Sequence, residues 1–195
     1  DVASPYLTNF YDFLEQWGIT VGEGVIYETN QSNHLPDDPT TIGLFSTKLD
    51  DITSDVTICI TGSNVPLSAA YDEENYITVT PLIQSFETTI AAPVGSDASF
   101  SGADNYTKQS YASVIQAKKS DYNDIDEKIE SYIIAFSSPD YIQSEYNSQS
   151  SVSNNKMTVA AADRAVGVED SGILFLSKKI VVDSFAAEVT EGSTN

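Results

Sequence analysis

Ser131-Tyr-Ile-Ile-Ala-Phe-Ser-Ser-Pro-Asp-Tyr-Ile142 is the stretch whose reading decides the expected fold. Tyr132 to Phe136 is a short, nearly continuous apolar run, the pattern of a strand covered on both faces. It ends in Ser137, Ser138, Pro139 and Asp140, where hydroxyls are followed by a proline suited to the first turn of a helix. Strand, tight polar turn and helix start form the unit of an α/β sheet. The expectation is therefore a single α/β domain over residues 1–195: a mixed, largely parallel sheet flanked by helices as a three-layer sandwich. Ligands of open α/β sheets sit outside the carboxyl ends of the strands. That makes Ser137, Ser138 and Asp140, with Gln84 and Ser85 at the end of another strand, the candidate ligand-binding residues. They would act through hydroxyl and carboxylate hydrogen bonds.

Outward from this unit, Ser153 to Val166 predicts a helix, capped by Ser153 and stopped by Gly167. Beyond it, Ser171 to Asp183 reads as a strand or a hairpin, with Ile173-Leu-Phe-Leu176 and Ile180 to Val182 separated by Lys178 and Lys179, and 188–195 reads as a frayed tail. Toward the N-terminus, Pro5 to Trp17 predicts a helix whose Tyr6, Phe10, Phe13, Leu14 and Trp17 share a face. Val25 to Tyr27, Asp55 to Gly62 and Tyr76 to Ile83 read as strands, the last with Pro81 at an edge or bulge. Thr89 to Val94 is a weaker extended run, and Ser110 to Lys118 fits a short strand or a helical turn equally well. The proline- and aspartate-bearing interval 29–50 reads as a long loop. Acidic Asp121 to Glu130 reads as a solvated turn.

With 29 acidic against 9 basic residues, the chain carries a formal charge of -20. That opposes binding to nucleic-acid phosphates or an anionic membrane face. An acidic surface rich in Ser, Thr, Asn and Tyr suits an extracytoplasmic protein. The lone Cys59 excludes an internal disulfide and reads as a small packing residue in mid-strand.

No Gly-x-Ser-x-Gly turn accompanies a histidine base, no Walker or Gly-x-Gly-x-x-Gly loop is present, and zinc lacks ligands. His34, the only histidine, lies in the 29–50 interval beside Asp37 and Asp38 and reads as a bystander. Asp121, Asn123, Asp124 and Asp126 mimic a calcium loop, but Asp126 stands where glycine is required and Tyr132 where the bidentate glutamate belongs. No cofactor is expected. A carbohydrate-active hydrolase with a carboxylate pair, drawing on residues such as Glu87 and Asp140, is one alternative. A structural docking module with a broad apolar patch is another.

Several stretches, in order, carry a resemblance: Leu7-Thr-Asn-Phe-Tyr-Asp-Phe-Leu-Glu-Gln-Trp-Gly-Ile-Thr-Val-Gly-Glu-Gly-Val-Ile-Tyr-Glu28, Val79-Thr-Pro-Leu-Ile-Gln-Ser-Phe86, Ile133-Ile-Ala-Phe-Ser-Ser-Pro-Asp-Tyr-Ile142, Asn154-Asn-Lys-Met157 to Gly167, and Ile173-Leu-Phe-Leu-Ser-Lys-Lys179. From Pro5 to about Lys179 the chain resembles the extracytoplasmic domain of GldG-type proteins, gliding-motility-associated auxiliary components of ABC transport systems. The resemblance implies an α/β sandwich with a mixed sheet, tethered by membrane helices outside this chain. It also implies that the chain begins partway through the family's domain, leaving the sheet incomplete at its N-terminus. No catalytic residues carry over. Permease and ATPase subunits of the same system are the implied partners, and the implied ligand is a small, carbohydrate-like solute.

Overall fold

A computed structural model describes residues 8–122, 125–142, 149 and 151–166. Helix α1 (Thr8–Gln16) leads into β1 (Ile19–Val21), β2 (Val25–Glu28), β3 (His34–Leu35) and β4 (Asp38–Ser46). Then come β5 (Ile58–Thr61), β6 (Leu67–Ala69), β7 (Glu73–Glu74), β8 (Ile77–Gln84) and β9 (Thr89–Ala92). The long strands β10 (Ala112–Tyr122) and β11 (Lys128–Phe136) precede helix α2 (Asn154–Val166), and 3₁₀ turns form at Asp51–Thr53, Ala103–Asn105 and Pro139–Tyr141.

Nine strands make one sheet with the path β1-β6-β10-β8-β4-β3, to which β11 adds on β10, β5 on β4 and β7 on β8. Strands β2 and β9 pair separately as a two-stranded ribbon. Every pairing among the described residues is antiparallel. This overturns the expected largely parallel α/β sandwich. The architecture is β-rich, with one helix packed on each face of an antiparallel sheet. The physical reason lies in the stretch that prompted the expectation. Tyr132–Phe136 is the return strand of a hairpin, in register with β10 from Val114↔Phe136 to Tyr122↔Lys128. The acidic interval before it is the hairpin's end, and a connection that short forces antiparallel pairing.

The long loop expected over 29–50 is also corrected, because it contains β3 and all of β4. Thr41, Ile42 and Leu44 are buried there. The prolines and aspartates that signalled a loop serve one tight turn, with Asp37 at φ 61. The Asp38 carboxylate closes the turn by accepting from the Thr40 and Thr41 hydroxyls at 2.8 and 2.6 Å. Strand β5 buries Cys59 and Thr61 and leaves Ile58 and Ile60 the more open face. Ile58 is 39% exposed while Cys59 is fully buried, so the more polar face of this strand points inward. Pro81 lies where the β8–β10 register shifts, a bulge that tolerates its missing N–H.

Two cores result. On the α2 face, Ile42, Leu44, Cys59, Ile83, Val114 and Tyr141 pack with Met157 and Ala161 of the helix. On the α1 face, Ile19, Leu67, Val79, Ile115 and Ala117 pack with Leu14 and Trp17. Phe10 and Phe13 of α1 are 52% and 44% exposed, so the aromatic stripe turns inward only at Leu14 and Trp17. The expected cap residues Ser4 and Pro5, the expected stop Gly167, the strand over 171–183 and the tail 188–195 lie outside the described residues.

Candidate functional site

The five residues expected to bind a ligand come from two strands that flank β10. Strands β8 and β11 both run antiparallel to β10 and so point the same way, and their ends meet its start: Gln84 opposes Ala112, and Phe136 opposes Val114. Gln84 and Ser85 are thus at the same end of the sheet as Ser137, Ser138 and Asp140, with β10 between the two groups. The side-chain oxygens of Ser85, Ser137, Ser138 and Asp140 bond inside the fold. Ser85 Oγ bonds Thr89 Oγ1 at 2.8 Å and accepts the Tyr111 amide at 2.9 Å. Ser138 Oγ donates to the Gly62 carbonyl at 2.6 Å, and Asp140 Oδ2 accepts the Gly62 amide at 2.7 Å. Ser85, Ser137 and Ser138 are buried. The two bonds to Gly62 latch the Pro139–Tyr141 turn onto the residue that follows β5.

Asn64, which the sequence reading did not single out, is the hub of that latch. Its Oδ1 lies 2.8 Å from Thr61 Oγ1, 2.9 Å from Ser113 Oγ and 2.7 Å from Ser137 Oγ. Its Nδ2 donates to the Thr61 carbonyl at 3.1 Å. An amide oxygen has two lone pairs, so one of the three hydroxyls must donate elsewhere. Ser113 does so to Ser137, 2.8 Å away, and Tyr141, at 3.0 Å, donates to Ser113. The Cys59 thiol hydrogen-bonds Tyr141, and burial pushes its pKa up to about 12, so it stays protonated and unreactive. Burial likewise holds the Tyr141 phenol well above its ordinary value. A relay of neutral donors satisfied by one amide is structural chemistry, with no activated nucleophile in it.

The open polar site lies on the α2 face, toward the free end of the β10–β11 hairpin. It is a cleft of about 940 Å³ lined by Asp50 and Asp51, by Lys118, Lys128, Glu130 and Tyr132 of the hairpin, and by Asp163 and Arg164 of α2. The local sequence explains the convergence. Lys118 sits opposite Tyr132 in the register, Ser120 opposite Glu130 and Tyr122 opposite Lys128, so residues two apart on each strand share one face. Arg164 reaches down from the last turn of α2, bonds Asp50 Oδ1 at 3.1 Å and Asp51, and lies 5.1 Å from the Tyr132 ring centroid. Asp50 caps the Asp51–Thr53 turn through the Ile52 amide at 3.2 Å and accepts Gln116 Nε2 at 2.9 Å. Burial raises the Asp50 pKa, but hydrogen bonds with Asp51, Ile52 and Gln116 and the Arg164 charge outweigh it and keep the carboxyl low. Across the cleft, Lys128 Nζ lies 2.7 Å from Glu130, which also accepts the Tyr132 hydroxyl. The bond from Lys128, then that from Tyr132, brings Glu130 to about 2.

No protein-family model, curated protein or solved structure matches this chain. Its chemistry therefore has to be read from its own residues. A carboxylate-pair hydrolase needs one carboxyl held protonated near neutral pH. Here Asp38, Asp50, Asp97 and Glu130 are all displaced downward. Among the described residues, no three His, Cys, Asp or Glu side chains converge as a metal site. His34 lines a separate cavity of about 560 Å³ with Tyr27, Glu28 and Asp37, and its Nδ1 lies 2.6 Å from the Leu35 carbonyl. Buried Glu28 accepts the Asn30 amide at 2.7 Å there, which makes it a turn-former.

Proposed function

We propose that this chain is a non-catalytic binding domain of an ABC-transporter auxiliary protein, and that the cleft beneath Arg164 takes a neutral, hydroxyl-rich solute of the carbohydrate class. The observation that carries the binding reading is the balance of the cleft. Three of the chain's nine basic residues gather there against four carboxylates, on a protein whose formal charge is otherwise strongly negative. Lys118, Lys128 and Arg164 are each already in an ion pair, so an anionic ligand would have to break a pair to gain one. A polyol can hydrogen-bond the remaining lone pairs and N–H groups without separating any of them. Tyr132 adds an apolar surface at the floor. The extracytoplasmic setting and the permease and ATPase partners rest on the sequence resemblance alone.

Titration of the ¹⁵N-labelled chain with neutral oligosaccharides tests the reading. Amide shifts are expected at Lys118, Lys128, Glu130, Tyr132 and Arg164, and are expected to vanish in the Lys128→Ala/Glu130→Ala double variant. A panel of neutral saccharides that leaves these resonances in place refutes it.

A further inference from the structure

Just past strand β4 the hydrogen bonds of a whole turn converge on Lys48. Thr47 is fixed to the sheet, its amide donating to the Leu82 carbonyl at 3.0 Å and its hydroxyl to the Pro81 carbonyl at 2.8 Å. From that anchor the Lys48 side chain reaches the end of the Asp51–Thr53 turn. Its Nζ donates to the carbonyls of Thr53 and Ser54, each at 2.8 Å, and to that of Val56. An ammonium has three N–H donors, and here it meets three carbonyls. The last carbonyls of a helical turn keep open lone pairs and carry the negative end of its dipole, so a cation suits them. The backbone shows the same demand. Lys48 has φ 58, in the left-handed region, where a non-glycine residue stays only when its surroundings hold it.

We propose that these three carbonyls form an ammonium-binding cradle, filled by the chain's own Lys48, and that Lys48 is thereby the positioning residue of the cleft beneath Arg164. The link is short. Asp50 and Asp51, two and three residues on, begin the turn that the cradle closes: the Thr53 amide and hydroxyl both donate to the Asp50 carbonyl, at 3.1 and 2.7 Å. The same two aspartates hold Arg164 over Tyr132. Without the ammonium, three carbonyl dipoles are left aimed at one point, and the turn has to rotate them out to water. Asp50 and Asp51 move with the turn. Arg164 then loses its partners, and the cleft loses a wall. The consequence for ligand binding rests on the reading of the cleft given above; the hold on Arg164 does not.

Arg164 is the chain's only arginine, so its Nε–Hε resonance in the ¹⁵N-labelled full chain is unambiguous. Two variants are compared: Lys48→Ala, and Lys48→Gly, which accommodates φ 58 without strain and so keeps the chain folded. In both, the resonance is expected to move to the free-arginine position and its hydrogen exchange to quicken about tenfold or more. n-Propylammonium chloride, which supplies the atoms that Lys48→Ala removes, is expected to return it. Tetramethylammonium chloride at the same ionic strength has no N–H donor and is expected to leave it displaced. A resonance that keeps its parent position in Lys48→Gly overturns the proposal. So does failure of n-propylammonium to restore it, or equal recovery with tetramethylammonium, which would be charge screening alone. Neutral-saccharide titration of the same samples separates the two readings: a parent chain that binds none refutes the cleft's ligand, while the Arg164 resonance still decides the role of Lys48.

Discussion

Replacing Asn64 with alanine removes two accepted hydrogen bonds, from Thr61 and Ser137, and one donated to the Thr61 carbonyl. Asn64, Thr61 and Ser113 are fully buried and Ser137 is 6% exposed, so water cannot replace the lost partner without opening the sheet end. Ser113 and Ser137 can still pair with each other, which spares one bond. At about 1 kcal/mol for each neutral bond lost, the cost is about 3 kcal/mol. For a urea m-value near 2 kcal/mol/M, the unfolding midpoint falls by about 1.5 M with m unchanged. Trp17, the chain's single tryptophan, reports the transition by fluorescence. Asn64→Asp sharpens the test, because its buried carboxylate is tolerated only when protonated. That variant should gain stability relative to Asn64→Ala as pH falls from 7 to 4. The exposed Ser68→Ala serves as a control, within about 0.5 kcal/mol of the parent. An Asn64→Ala loss below about 1 kcal/mol would refute the view that this amide satisfies the end of the sheet.

Two further outcomes follow from the displaced titrations. Cys59, with a pKa of about 12, should resist a thiol-specific disulfide reagent at pH 8.5 in the folded chain and react at once in denaturant; labelling at the same rate in both states would contradict its burial. Because its folded pKa is raised, its contribution is full below the unfolded value of about 8.5 and is lost as pH climbs toward 12. Glu130 is displaced the opposite way, to about 2, so its contribution is present above the ordinary carboxylate range and is lost as pH falls through that value. Acid titration of Glu130→Gln should show a shallower stability loss between pH 4.5 and 2, and a curve parallel to the parent's would remove Glu130 from the pairing described.

Much of the secondary structure was legible because it is written in local periodicity. Val25–Tyr27, Tyr76–Ile83 and Ser153–Val166 announce β2, β8 and α2, and Pro81 marks its bulge. Strand direction is not local. Five apolar residues at Tyr132–Phe136 look the same whether the neighbouring strand runs with them or against them, and only the shortness of the link to β10 hinted at a hairpin. Interval 29–50 was misread because Pro36, Asp37, Asp38 and Pro39 outweighed the alternation of Thr41, Ile42 and Leu44 beside them. The cleft did leave a trace: Lys118, Ser120 and Tyr122, like Lys128, Glu130 and Tyr132, recur every second residue and so declare one polar face. What no spacing encodes is that Arg164 and Asp50 meet there, since 114 residues separate them. Asn64 was hidden inside a turn-like Ser63-Asn-Val-Pro66.

Strand β10 is bordered by β8 on one side and by β6 and β11 on the other, and both cores touch it. A ribosome delivering residues in order therefore presents β1 to β9 before the strand that joins them exists outside the exit tunnel. At about 5–20 residues per second, those earlier segments wait several seconds with their apolar faces uncovered. Protection from premature association during synthesis must come from elsewhere, and the dense negative charge of the chain, repelling its own nascent neighbours, is well suited to supply it.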